Sequence, residues 1–187
     1  MPSGPGVIAE QLIAEIGAEV PPAIGTNLLT SQQDVSTIIA QVRRTRVGGV
    51  QLCDRLDKAS YPKLREAHPD VRLMPVVHVT GPEILAEAMA LASLVDAIVL
   101  DTGNPSAATK VLGGTGQTHD WAVSRQIRDA VGVPVFLAGG LRADNVAAAI
   151  RQVRPGGIDV CTGVRTEGRL DADKLARFVE AVRQARW

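Results

Sequence analysis

The chain has 187 residues, 45% of them apolar, and its 20 basic and 20 acidic side chains cancel to a formal net charge of zero. That length supports one sizeable core and no second, so residues 1–187 are expected to form a single domain. A neutral chain lacks the cationic surplus that grips a polyanion, and no apolar run approaches the ~20 residues that span a bilayer, so neither nucleic acid nor a membrane is an expected partner.

Met1 to Gly6 is a Pro/Gly/Ser leader with nothing to bury. Val7–Ile16 then sets Ile8, Leu12, Ile13 and Ile16 in one apolar stripe and predicts a helix that no strand precedes. A strand is expected at Ala23–Leu29, followed by a helix over Val35–Arg43 with Val35, Ile38, Ile39 and Val42 on its inner face. Arg43, Arg44 and Arg46 at its end read as a solvated helix terminus. Strands follow at Gly49–Cys53 and Leu73–Val79, a helix at Glu83–Leu94, and strands at Ala97–Asp101 and Val135–Ala138. A helix over Asn145–Val153 and a strand at Ile158–Cys161 come next. The chain closes on a helix over Ala172–Val182, capped by Asp171, with Leu175, Phe178, Val179 and Val182 turned inward.

Six strands alternating with helices predict an α/β fold of parallel strands and crossover connections. Their spacing, roughly twenty residues over most of the chain, has the rhythm of a barrel. A doubly wound open sheet is the other architecture this alternation allows, but the sequence has neither a G-x-G-x-x-G turn opening a helix nor a Walker lysine, which favours the barrel.

Catalytic groups in such barrels sit where strands end. Asp101 closes the apolar run Ala97-Ile98-Val99-Leu100, where a carboxyl group can donate or accept a proton; the same position suits an Asp that caps loop amides. Gly139-Gly140 and Thr162-Gly163 follow the last two expected strands, where loops of barrel enzymes commonly hold phosphate, and Asn145 opens a helix beside them. Turn chemistry alone accounts for either glycine pair, but their occurrence at consecutive strand ends favours phosphate. Cys53 and Cys161 have no paired spacing, which fits a reducing, cytoplasmic setting without disulfide or metal, and each is expected to be a small buried residue.

Val99-Leu100-Asp101-Thr102, Leu112-Gly113-Gly114-Thr115-Gly116 with His119-Asp120-Trp121, Leu137-Ala138-Gly139-Gly140-Leu141 with Asn145-Val146, and Asp159-Val160-Cys161-Thr162-Gly163-Val164 together resemble the phosphoribosylanthranilate isomerase family, as does Val50-Gln51-Leu52. The resemblance implies a TIM (βα)8-type barrel without a cofactor that carries out an Amadori rearrangement, aldose amine to ketose amine, in tryptophan biosynthesis. It places the acid at Asp101, the phosphate at Gly139, Gly140, Thr162 and Gly163, and the turn Gly114, Thr115 and Gly116 beside the substrate together with Gln51 and His78. A phosphosugar- or nucleotide-binding module without isomerase chemistry is the alternative.

The departures bear on the same chemistry. Family members open with a strand bearing a Lys-Ile-Cys-Gly-like motif whose cysteine is the base, then a helix and a second strand with an arginine nearby that meets the anthranilate carboxylate. By pattern, Met1 to Pro5 corresponds to the stretch just past that second strand, so six of eight strands are expected in an incomplete barrel. The expected reasons, in order, are a start at an internal Met of a longer protein, copies that pair their open sheet edges into a homo-oligomer, and a shortened barrel put to another use.

Overall fold

The structure, a computed structural model, describes residues 7–103 and 118–185. The described residues fall in two compact units, one drawn from Met1–Val76 with Leu94–Ala97 and the other from Val77–Ser93 with Ile98–Trp187.

In the first unit, helix α1 (Glu10–Glu19) is followed by strand β1 (Asn27–Thr30), helix α2 (Val35–Thr45), strand β2 (Gly49–Leu52), helix α3 (Ser60–Ala67) and strand β3 (Arg72–His78), whose last two residues pass into the second unit. The strands run parallel, Leu28 beside Val50 and Val50 beside Leu73. These three side chains are at most 3% accessible. Asp34 caps α2 by accepting from the Thr37 N–H at 2.8 Å, which satisfies an amide that the helix itself leaves unpaired. Arg46 ends it in the left-handed region at φ 55°, and Arg44 pairs with Glu10, so the basic cluster is the solvated terminus expected.

Three features of this unit differ from, or go beyond, the expected elements. The strand expected at Ala23–Leu29 begins only at Asn27, because Pro21 and Pro22 lead into a turn that Ile24 closes by donating to the Pro21 carbonyl at 2.8 Å. The apolar stripe of α1 is not core: Ile8, Leu12 and Ile16 are 43%, 44% and 48% exposed. Helix α3 was not foreseen, since its only buried side chains are Tyr61 and Leu64 and its sequence carries Pro62.

The second unit contains helix α4 (Ile84–Ala92), strand β4 (Ile98–Asp101), helix α5 (Trp121–Ala130), strand β5 (Val135–Leu137), helix α6 (Val146–Val153) and strand β6 (Gly157–Ile158). A 3-10 turn (Thr162–Val164), a hairpin of β7 (Arg165–Thr166) and β8 (Arg169–Leu170), and helix α7 (Ala172–Gln184) complete it. Strands β4, β5 and β6 are parallel neighbours, with Leu100 beside Leu137 and Leu137 beside Ile158. Ile98, Leu100, Leu137 and Ile150 are fully buried and form its centre. Asp171 caps α7 through the Lys174 N–H at 3.0 Å, as expected, but only Phe178 is buried and Val179 is 36% exposed.

Strand β6 is much shorter than the expected Ile158–Cys161. It ends at Ile158 because the chain must turn within a few residues to bring Gly163 against the backbone of Leu141. None of the described helices is long and apolar enough to cross a membrane.

Candidate functional site

The end of β4 places Asp101 at a hollow in the second unit that is also lined by Gly139, Gly140, Asp159, Cys161 and Thr162. Three successive strand ends therefore meet there. Parallel register brings them level: Val79 donates to the Asp101 carbonyl at 3.0 Å, Ala138 to that of Leu100 at 2.7 Å, and Asp159 to that of Leu137 at 2.8 Å.

Asp101 is half-buried, and its Oδ1 accepts from the Thr102 N–H at 2.7 Å. Burial pushes its pKa up to about 6; the Thr102 bond opposes this rise and the nearby Asp159 carboxylate adds to it. Asp101 thus accepts from a loop amide, and with its pKa raised to about 6 it keeps a proton to higher pH than an ordinary carboxyl group, the property a general acid needs.

Gly139 and Gly140 adopt φ 82° and 63°, a conformation that exposes successive amides and that side chains resist. A Cβ on Gly139 would also press on the Thr102 nitrogen at 2.8 Å and on Asp101 Oδ1 at 3.1 Å. Asn145 braces this turn: its Nδ2 donates to the Gly140 carbonyl at 3.0 Å and its Oδ1 accepts from the Arg142 N–H at 2.8 Å. Its contribution is this side-chain brace at the entry to α6.

Thr162 lines the hollow, whereas Gly163 lies behind it, its Cα packed on the Leu141 carbonyl so that the loops after β5 and β6 touch. His78 is buried at the end of β3 and is not among the lining residues. Gln51 is half-buried in β2 of the first unit, in register with Leu29 and Met74. Gly114, Thr115 and Gly116 lie outside the described residues.

The cysteines divide. Cys53 is buried as expected, its Sγ directed at the Gln51 carbonyl at 3.7 Å, but Cys161 is exposed and lines the hollow, because β6 has already ended and the chain there turns outward. Sequence reasoning missed one further group, His119, which stands beside Thr102 just ahead of α5. The available signal was a histidine placed immediately before Asp120, the residue that caps α5 by accepting from the Ala122 N–H at 2.8 Å.

The chain has counterparts among known proteins. The family model described as N-(5'phosphoribosyl)anthranilate (PRA) isomerase matches residues 7–181. The chain belongs to the phosphoribosylanthranilate isomerase family. An N-(5'-phosphoribosyl)anthranilate isomerase of Haloferax volcanii is 39% identical over 183 residues, which are 97% of this chain and 79% of the relative. A second relative, N-(5'-phosphoribosyl)anthranilate isomerase 2 of Methanosarcina mazei, is 38% identical over 92% of this chain and 76% of its own length. The crystal structure of phosphoribosyl anthranilate isomerase from Thermotoga maritima superposes with a TM-score of 0.82 at 26% identity, covering 97% of this chain and 84% of that one. The fold is thus the TIM-type barrel of the phosphoribosylanthranilate isomerase family, of which this chain spans about four fifths.

Proposed function

We propose that this chain, working as one domain in the cytoplasm, isomerises phosphoribosylanthranilate to the corresponding carboxyphenylamino-deoxyribulose phosphate without a cofactor. The observation that carries this reading is the hollow itself. A carboxyl group of raised pKa stands at one strand end, a turn of two positive-φ glycines follows the next, and a 3-10 turn that begins at Thr162 follows the third.

Protonated Asp101 gives its proton to the ribose ring oxygen as the adjacent carbon–oxygen bond breaks, leaving an iminium between that carbon and the anthranilate nitrogen. A general base takes the proton from the neighbouring carbon to give the enolamine, and reprotonation at the first carbon yields the ketose amine. Gly139, Gly140, Thr162 and Gly163 supply the phosphate turns.

Turnover is read from the loss of anthranilate fluorescence, and binding from calorimetry with ribose 5-phosphate and with the reduced product analogue. The reading expects turnover that saturates with substrate, and tighter binding of the analogue than of the sugar phosphate. Binding of both ligands alike without turnover contradicts it and favours a phosphosugar-binding module.

Association between copies is part of the same reading. Leu12, Ile16, Ile24 and Leu29 of the first unit are 44%, 48%, 60% and 50% exposed, and β1 is an edge strand among the described residues. Sedimentation velocity at micromolar concentration is expected to show a dimer or larger species, which Leu12→Glu with Leu29→Glu reduces; a monomer before substitution contradicts the assignment.

A further inference from the structure

His119 bonds on both sides. Its Nδ1 lies 3.0 Å from Thr102 Oγ1 and its Nε2 lies 2.7 Å from Ser124 Oγ, a fully buried hydroxyl in the first turn of α5. Ser124 Oγ is also placed to donate to the Asp120 carbonyl at 3.4 Å. One polarity satisfies all three contacts: Ser124 donates to Asp120, His119 Nε2–H donates to Ser124, and Thr102 Oγ1–H donates to His119 Nδ1. That polarity requires a neutral ring, and burial pulls the His119 pKa down to about 4 despite the opposing Asp120 carboxylate.

Thr102 is thereby held on two sides. His119 fixes its hydroxyl, and Gly139 lies so close that a Cβ there would strike the Thr102 nitrogen and oxygen. The same residue's N–H occupies Asp101 Oδ1, so the proton of a neutral Asp101 resides on Oδ2. We propose that His119 is a positioning residue for Asp101, acting through Thr102 to fix which carboxyl oxygen carries the transferable proton and where it points.

The proposal rests on Asp101 being the acid of the isomerase, and it is tested by a measurement that needs no turnover. The titration of the Asp101 carboxyl carbon is followed by NMR in the full chain and in His119→Phe, His119→Gln and His119→Asn. An Asn carbonyl can replace Nδ1 toward Thr102 but reaches no further, whereas a Gln amide can replace Nε2 toward Ser124. If His119 acts through Thr102, Phe and Gln raise the Asp101 midpoint by about half a unit as the Thr102 N–H loosens, and Asn leaves it near the unsubstituted value. In the turnover assay, Phe and Gln lower kcat about tenfold with KM within about twofold, and Asn restores most of the loss.

If His119 only anchors α5 through Ser124, the order reverses, with Gln mild and Asn severe in thermal melts and the Asp101 midpoint fixed throughout; that result overturns the proposal. Asp159 faces Asp101 and Asp120 faces His119 in every variant, so their charges do not distinguish them. Where His119→Phe fails to fold, Thr102→Val removes the same hydroxyl bond and is expected to give the same rise in midpoint. An unchanged midpoint in that variant also overturns the proposal, and absence of turnover in the unsubstituted chain counts against the isomerase reading alone.

Discussion

Replacing Asp101 with Asn is expected to lower turnover by about 10²- to 10⁴-fold while ribose 5-phosphate binding changes by less than about threefold. An amide fills the same space, and so keeps the packing beside Gly139, but is far too weak an acid to protonate the ring oxygen. The same substitution is expected to stabilise the fold above neutrality. The folded pKa of about 6 exceeds the ordinary carboxylate value, so the native state binds more protons than the unfolded state between roughly pH 4 and 6, and stability falls as pH rises through that window. Above it the buried charge costs about 1–2 kcal/mol after allowance for solvent screening, which Asn removes; below pH 4 the two proteins should melt alike. Thermal melts at pH 4 and pH 8 check this, and a lower melting temperature for Asp101→Asn at pH 8 would contradict burial as the source of the shift.

His119 has the opposite sign. Its pKa of about 4 lies below the ordinary histidine value, so the unfolded state gains a proton first and stability is lost as pH falls from about 6.5 to 4. Between pH 4 and 6 the two groups partly offset one another, and the acid sensitivity of the fold should grow when Asp101 alone is replaced.

Gly163→Ala is the second substitution with a large expected effect. Its Cβ would be driven into the Leu141 carbonyl, with the carbonyl carbon at 3.0 Å, and these are backbone atoms that cannot rotate aside. One of the two loops must move, at a cost of about 2–4 kcal/mol, and ribose 5-phosphate binding should weaken by more than about tenfold. Gly168→Ala is the control. Gly168 has φ 76° but open space around it, in the hairpin between β7 and β8, so it should cost only about 1 kcal/mol of backbone strain and leave binding unchanged. Denaturant melts and calorimetry on the two variants separate loop contact from glycine strain, and equal effects in both would refute the role given to the Leu141 contact.

Most of the scaffold was legible because it depends on local pattern. Ile98-Val99-Leu100 reads as a buried strand in any context, and Asp171 announces the helix it caps. Helix α5 was not foreseen, although Val123 and Ile127 fall four residues apart on its buried side. Strand β6 and Cys161 were misjudged because the pressure on them is tertiary: Ile158-Asp159-Val160 has strand propensity, but the approach of Gly163 to Leu141 overrides it. The exposed stripe of α1 misled in the other direction, since periodicity reports an apolar face and not what covers it. That Asp101, the Gly139-Gly140 turn and Thr162 gather at one hollow was legible because all of them follow strand ends. The link through Thr102 to His119 was not, because it depends on side chains seventeen residues apart meeting in space.

The most direct test is a crystal structure of the chain grown with the reduced product analogue. The phosphate should lie within hydrogen-bonding distance of backbone amides in both the Gly139-Gly140 and Thr162-Gly163 turns, with the Asp101 carboxyl group turned toward the sugar. A phosphate bound away from those turns, or an Asp101 carboxyl directed out of their shared hollow, would contradict it.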